Sequence, residues 1–184
     1  MDTAQANVSE LVFEAAEARH AAALVDLFAR TNTPCHCQYW HFTGDKNAWL
    51  DRIFHAPEEN RAAFVSGLER AELKGVLALA GEQAVGWMKL CAAEQVPKLY
   101  EQRLYKGLPC FNGPRDGVLT IGCMLVDEDF RRRGVARSLI RSGIALAEKS
   151  GARAIEAFPR RSEHARAPEL WLGPASAFLE AGFQ

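Results

Sequence analysis

Short apolar runs and amphipathic stretches take turns along this chain. Leu11 to Ala15 is a short strand candidate, and Ala18 to Arg30 reads as helix with Ala21, Leu24, Val25, Leu27 and Phe28 mostly on one side. Thr31-Asn32-Thr33-Pro34 ends that helix, because the residue before a proline is pushed out of the helical region. Asn47 to Leu68 is a second helical region with a break expected near Pro57. A hairpin follows, made of Gly75 to Ala80, a Gly81-Glu82-Gln83 turn and Ala84 to Leu90. Val118 to Val126 is almost continuously apolar, as expected of a strand covered on both faces. Asp127 to Phe130 breaks the run, and Arg131-Arg132-Arg133-Gly134-Val135-Ala136 opens a long helix. In it Ala136, Leu139, Ile140, Gly143, Ile144 and Ala147 form one packed face, and Gly151 supplies the stop. Ala152 to Phe158 is a further strand, and Gly173-Pro174 starts a short helix that ends at Gly182. No repeat, low-complexity tract or linker interrupts this order, so residues 1–184 are read as one domain.

The turn between the apolar strand and the long helix carries the chemistry. A helix N-terminus presents free N–H groups and the positive end of a dipole, which together make an anion site. Gly134 and Ala136 keep the first turn free of bulk, so a diphosphate can approach the backbone closely. Three arginines add charge and forked donors. A solvated arginine turn before an ordinary helix is the plainer alternative. Neither a P-loop nor a Gly-x-Gly-x-x-Gly after an early strand is present.

Charge and composition narrow the setting. A formal net charge of −1 gives no basic footprint for nucleic acid, while clusters at Arg131 to Arg133 and Arg160-Arg161 suit a small polyanion. No apolar run approaches membrane-spanning length, and the polar start from Met1 to Asn7 lacks a secretory h-region. The 5 cysteines, odd in number and without framework spacing, favour a reducing cytoplasm. A cytoplasmic protein without nucleic-acid or membrane partners is expected.

The segment Arg131-x-x-Gly134-x-Ala136 resembles the acyl-CoA-binding motif of GNAT-type N-acetyltransferases: Arg or Gln, two residues, Gly, one residue, Gly or Ala. Ile121 to Val126, Ala154 to Pro159, Trp171 to Phe178, and Cys35-His36-Cys37 with Trp40 look like a small-molecule-type subgroup of that superfamily. The resemblance implies an α/β (α+β) fold, with a mixed central sheet flanked by helices, here without the C-terminal strand pair. It implies acetyl-CoA as cosubstrate. Pantetheine would lie where the strand ending Met124, Leu125 and Val126 splays from Ala152 to Phe158, pairing with those residues like an added strand. The N–H of Leu125 or Val126 would hold the oxyanion. Arg131, Arg132, Arg133, Gly134, Val135, Ala136 and Arg137 would surround the diphosphate. Gly122 fits either a bulge that opens the strand or a packing glycine. The implied reaction is direct attack of a small-molecule or peptide amine on acetyl-CoA in a ternary complex. A non-catalytic acyl-CoA-binding or regulatory module is the alternative.

The acid and base are less evident. Many family members place a tyrosine four residues before the Gly-Phe that ends the last helix, where this chain has Phe178, with the Ser176 hydroxyl nearby. Glu156 is the candidate base, since a carboxylate in an apolar strand must be paired or have a raised pKa. A salt bridge to an arginine such as Arg153 is the alternative role, and His41 and His164 are other candidates for the base. Cys35-His36-Cys37 with His41 offers soft ligands, but the one-residue spacing and lack of a second half argue against a metal. A buried or pocket-lining thiol pair beside Tyr39 and Trp40 is preferred, with Cys35 to Phe42 shaping the acceptor site in the GNAT arrangement. The stretch from Ala92 to Gly117 is either a lid over the acceptor or a surface loop. GNAT folds normally continue past Gly182-Phe183-Gln184 into a strand pair of roughly fifteen to twenty residues. The Ala152 to Phe158 strand is therefore expected to have an edge covered by a second copy, as in a homodimer, or by a C-terminal extension.

Overall fold

The computed structural model describes residues 8–160 and 170–184. Its elements are β1 Val12–Ala15, α1 Ala21–Arg30, α2 Lys46–His55, α3 Pro57–Glu69, β2 Lys74–Ala80, β3 Gln83–Ala92, α4 Pro97–Tyr100, β4 Val118–Val126, α5 Val135–Lys149, β5 Ala154–Ala157 and α6 Ala175–Glu180. The break expected near Pro57 falls between α2 and α3, where proline takes the first helical position and loses no needed donor. The Asp45 carboxylate caps α2 by accepting the Ala48 N–H at 2.8 Å. His164 and Arg161 lie outside the described residues.

Five strands form one sheet in the order β1-β2-β3-β4-β5, antiparallel except for the parallel β4/β5 pair. This is the mixed sheet flanked by helices that the sequence implies. Helices α5 and α6 cover one face, where Val76, Met88, Ile121, Leu139, Ile140 and Phe178 are buried together. The other face packs Leu24, Leu27, Phe28, Phe64, Leu68 and Trp87 under α1 and α3. β3 and β4 thus lie covered on both sides, which is why they read as nearly unbroken apolar runs. β5 ends the sheet, and at four residues it is a short edge rather than the longer one expected.

Residues 93–117 are more ordered than the sequence suggested. They hold α4 and two 3₁₀ turns, and Tyr100, Tyr105 and Phe111 pack their rings on the buried Phe158 at 4.8 to 5.3 Å between centroids. α4, at four residues, is too short to leave a periodic signal.

Candidate active site

β4 and β5 run together over Val118↔Ala154, Leu119↔Ile155, Thr120↔Glu156 and Ile121↔Ala157, after which β4 continues to Val126 alone. The parting coincides with a bulge. On the β3 side the register passes from Lys89↔Cys123 to Leu90↔Ile121 and leaves Gly122 without an opposite residue. Gly122 is therefore the bulge residue, and the extra residue bends β4 away from its neighbour.

Beyond the bulge the even-numbered residues face the gap. The Trp40 indole donates to the Gly122 carbonyl at 3.0 Å, the Met124 N–H goes to the Trp171 carbonyl at 2.7 Å, and the Arg131 Nε donates to the Val126 carbonyl at 3.0 Å. The Asp127 N–H turns the other way, to Val85 at 2.9 Å. Because backbone polar groups alternate along a strand, Leu125 faces β3 while Met124 and Val126 face the gap. Of the two amides considered for an oxyanion, Val126 is on the open side.

From Val126 the chain turns into α5. The Asp127 carboxylate accepts the Asp129 N–H at 3.1 Å and pairs with Arg30. Arg131 pairs with Glu128 at 3.0 Å. The helix begins at Val135, four residues later than Arg131, so Arg131, Arg132 and Arg133 lie in the turn before it. Arg132 (φ 60°) and Gly134 (φ 87°) are both left-handed, and this backbone curl directs successive N–H groups toward one point. A Cβ on Gly134 would meet nothing within 4 Å, so backbone conformation alone demands glycine there within the protein. The first helical bond runs from the Ser138 N–H to the Gly134 carbonyl at 3.0 Å, which leaves the N–H groups of Val135, Ala136 and Arg137 to an external acceptor. The Val135 side chain is buried against Gly86, so only its backbone is available to a ligand. Arg133 lies over the Phe130 ring at 5.6 Å, and Arg137 pairs with Glu180 at 2.6 Å.

Glu156 is paired, and its partner is Arg115 rather than Arg153. The Tyr100 hydroxyl donates to its other carboxylate oxygen at 2.6 Å and lies 2.5 Å from the Thr120 hydroxyl. Burial, then the Glu156 carboxylate, pushes the Tyr100 phenol well above its usual range, so it stays a neutral donor. Arg115 also stacks over the Tyr100 ring at 4.8 Å. Arg153 instead donates to the Asp116 and Pro114 carbonyls at 3.2 and 3.1 Å. Phe178 is buried beside Gly173, and its ring can donate nothing; Ser176 is exposed.

On the α1/α3 side the residues around Trp40 form an aromatic wall. Trp40 stacks on Trp171 at 5.4 Å between centroids, Tyr39 meets Trp40 at 4.7 Å, and Lys98 lies over Tyr39 at 4.4 Å. Beside the wall is a cavity of about 680 Å³ between α3, β3 and the Gln38–His41 turn. Lys89 lines it, only 4% exposed, and donates to the Cys37 carbonyl at 3.0 Å. Burial and the Lys89 charge lower His41 to about 4. Burial, then the neighbouring Cys37, pushes Cys35 up to about 12, and burial pushes Cys91 up to about 11. Burial alone would raise Cys37 as well, but the Cys123 thiol, the Lys89 charge and the Trp87 indole outweigh it and lower that thiol. All 5 cysteines are free, and no group of three metal-binding side chains occurs among the described residues. Arg115 and Lys89 escaped the sequence reading. A lysine in an apolar strand is the same signal that pointed to Glu156.

A mixed sheet flanked by helices, in which β4 bulges, parts from β5 and feeds a left-handed turn into a helix N-terminus, is the arrangement of the acyl-CoA N-acyltransferase class of fold. The acetyltransferase (GNAT) family model matches residues 23–172, and the chain belongs to that family. No curated protein matches the chain in sequence. Among solved structures it is similar to a probable acetyltransferase, at 17% identity and a TM-score of 0.54 over 94% of this chain and 89% of that one. It is equally similar to AAC(6')-Iy in complex with the bisubstrate analogue CoA-S-monomethyl-acetylneamine, at 16% identity, TM-score 0.54, and 95% and 90% coverage. A GNAT-family acetyltransferase from Streptococcus pneumoniae aligns at 16% identity, TM-score 0.52, and 95% and 84% coverage. At these identities the likeness is one of fold.

Proposed function

We propose that the protein is a single-domain cytoplasmic N-acetyltransferase that moves an acetyl group from acetyl-CoA to an amine of a small molecule or peptide. The observation that carries this is the continuous path from the Gly122 bulge, along the gap-facing groups of Met124 and Val126, to the free N–H groups at Val135 to Arg137. The diphosphate sits in the Arg131–Arg137 turn, held by the backbone of Gly134, Val135, Ala136 and Arg137 with charge from Arg131, Arg132 and Arg133. Pantetheine adds along β4 as a strand would. The complex of AAC(6')-Iy with a CoA-linked acetylneamine is consistent with such a use of the fold.

In the reaction the amine nitrogen attacks the thioester carbonyl carbon. The Val126 N–H holds the oxygen as it gains charge, the C–S bond then breaks, and the proton lost by the nitrogen ends on the CoA thiolate. Glu156 is the carboxylate available to take that proton. Its bonds to Arg115 and Tyr100 favour a different part, in which it fixes the 93–117 segment against β5 as a positioning residue. With Glu156 in that part and no donor on Phe178, water takes the proton from the nitrogen and relays it to the thiolate. That same phenylalanine supports the second reading, a non-catalytic acyl-CoA-binding module.

Calorimetry with acetyl-CoA and thiol release with an amine panel test both readings. Binding with turnover supports the enzyme, binding without turnover on any amine supports the module, and no binding overturns both.

A further inference from the structure

Among the described residues, the cavity beside the aromatic wall holds one buried positive charge without a carboxylate partner. Lys89 is 4% exposed, its ammonium donates to the Cys37 carbonyl, and no carboxylate of the described residues lies within 4 Å of it. The other lining groups leave that charge unanswered. Glu72 is held by Arg70 at 2.9 Å, both with well-exposed side chains, and Gln38, Gln95 and Ser66 are neutral. His41, at about 4, is uncharged near neutral pH. Among the thiols near Lys89, burial keeps Cys35 and Cys91 protonated, and the lowered Cys37 is the group among the described residues able to answer the charge. A buried ammonium without a partner is costly, and a ligand carboxylate would relieve that cost.

The position of Lys89 connects it to the acyl site. It lies opposite Cys123, at the register step where Gly122 bulges and β4 leaves β5. Lys89 donates to the Cys37 carbonyl, and the Cys37 thiol meets Cys123 on β4, so a ligand carboxylate on Lys89 lies about one strand spacing, roughly 5 Å, from the β4 edge that faces the gap. An amino acid carries its amine and carboxylate on one carbon, and about 680 Å³ is room for a small molecule of that kind. A polycation is repelled by the same charge.

We propose that Lys89 anchors the carboxylate of the amine acceptor, so that the acceptor class is amino acids and related amines bearing a nearby carboxylate, and not polycationic amines. This rests on the acetyl-transfer reading for its reaction, but the binding of the carboxylate stands apart from it.

The test compares leucine with leucinamide, then other amino acids with their amides and neamine as the polycation, in acetyl-CoA-dependent thiol release. The wild type is expected to favour the carboxylate in kcat/KM by about tenfold or more, the scale of one charged hydrogen bond. Lys89→Met should erase that preference through KM and leave acetyl-CoA affinity unchanged, while Lys89→Arg should keep it. A wild type that prefers the amides or neamine overturns the proposal without any variant. So does an unchanged preference in Lys89→Met, or a preference that appears only in Cys37→Ser, which would make the Cys37 thiolate the native counter-charge. Calorimetry of N-acetyl-leucine against its amide, without acetyl-CoA, separates the two readings. Carboxylate-selective binding in a protein that does not bind acetyl-CoA keeps the anion site and sinks acetyl transfer, and non-selective binding in a protein that acetylates amines does the reverse.

Discussion

The main-chain carbonyl of Trp171 accepts the N–H of Met124 at 2.7 Å, on the same edge of β4 that a pantetheine arm would use as a neighbouring strand. The Trp171 ring stacks on Trp40, whose own indole N–H holds the bulge carbonyl of Gly122. Acetyl-CoA binding along this edge is expected to break the Met124 bond and separate the two indoles. Tryptophan emission should then change in step with calorimetric saturation. Trp171→Leu should lose most of that change and bind acetyl-CoA about two- to fivefold more tightly, because less competing contact must be undone. Unchanged emission at saturating acetyl-CoA would contradict this.

Glu156 separates two accounts of the proton. Its bonds to Arg115 and Tyr100 tie β5 to α4 and to the loop before β4, so Glu156→Gln should lower unfolding free energy by about 2 kcal/mol, as expected when a largely buried ion pair loses one partner. Turnover should fall with it while the pH–rate profile keeps its acidic limb. A variant of native stability whose acidic limb has vanished would make Glu156 the base.

The turn before α5 depends on backbone shape more than on arginine charge. Gly134→Val forces a branched side chain into φ 87°, costs about 1–2 kcal/mol in conformation, and puts bulk in the proposed diphosphate site. CoA affinity should become undetectable by calorimetry. Arg131→Ala should weaken it by about tenfold, part of the loss coming from the broken link to Val126. Equal, small losses for the two variants would place the diphosphate elsewhere.

His41 gives stability a pH dependence of known sign. Its folded pKa of about 4 lies below the unfolded value of 6.5, so the unfolded chain takes up the proton first on acidification. The stability it contributes is present above about 6.5 and is lost as pH falls toward 4, by an amount on the order of 2 kcal/mol after allowance for solvent screening. Urea midpoints between pH 7 and pH 4.5 measure it, and His41→Gln should flatten the curve over that window. A variant with the wild-type slope would assign the dependence to another group.

Much of the site's frame is legible in the sequence because it rests on local signals. β4 is an unbroken apolar run, α5 shows a regular face, and Gly134 punctuates the turn between them. The Gly122 bulge was one of two options for a glycine inside a strand, and only the pairing of β3 with β4 decides it. The Glu156–Arg115 pair joins positions 41 apart across a segment without periodicity, so no spacing rule reaches it. Lys89 carries the same signal as Glu156, a charge in an apolar run, and its burial follows only once β3 is seen as a central strand covered on both faces. Trp171 and Met124 meet through backbone atoms, to which side-chain patterns are blind.

Backbone hydrogen exchange, with and without acetyl-CoA, tests the central claim most directly. The expected result is new protection at the amides of Val126 and of Gly134 to Arg137, with Met124 staying protected as its partner changes from Trp171 to the ligand. Saturation with acetyl-CoA that leaves Val126 and Gly134 to Arg137 exchanging as before would contradict it.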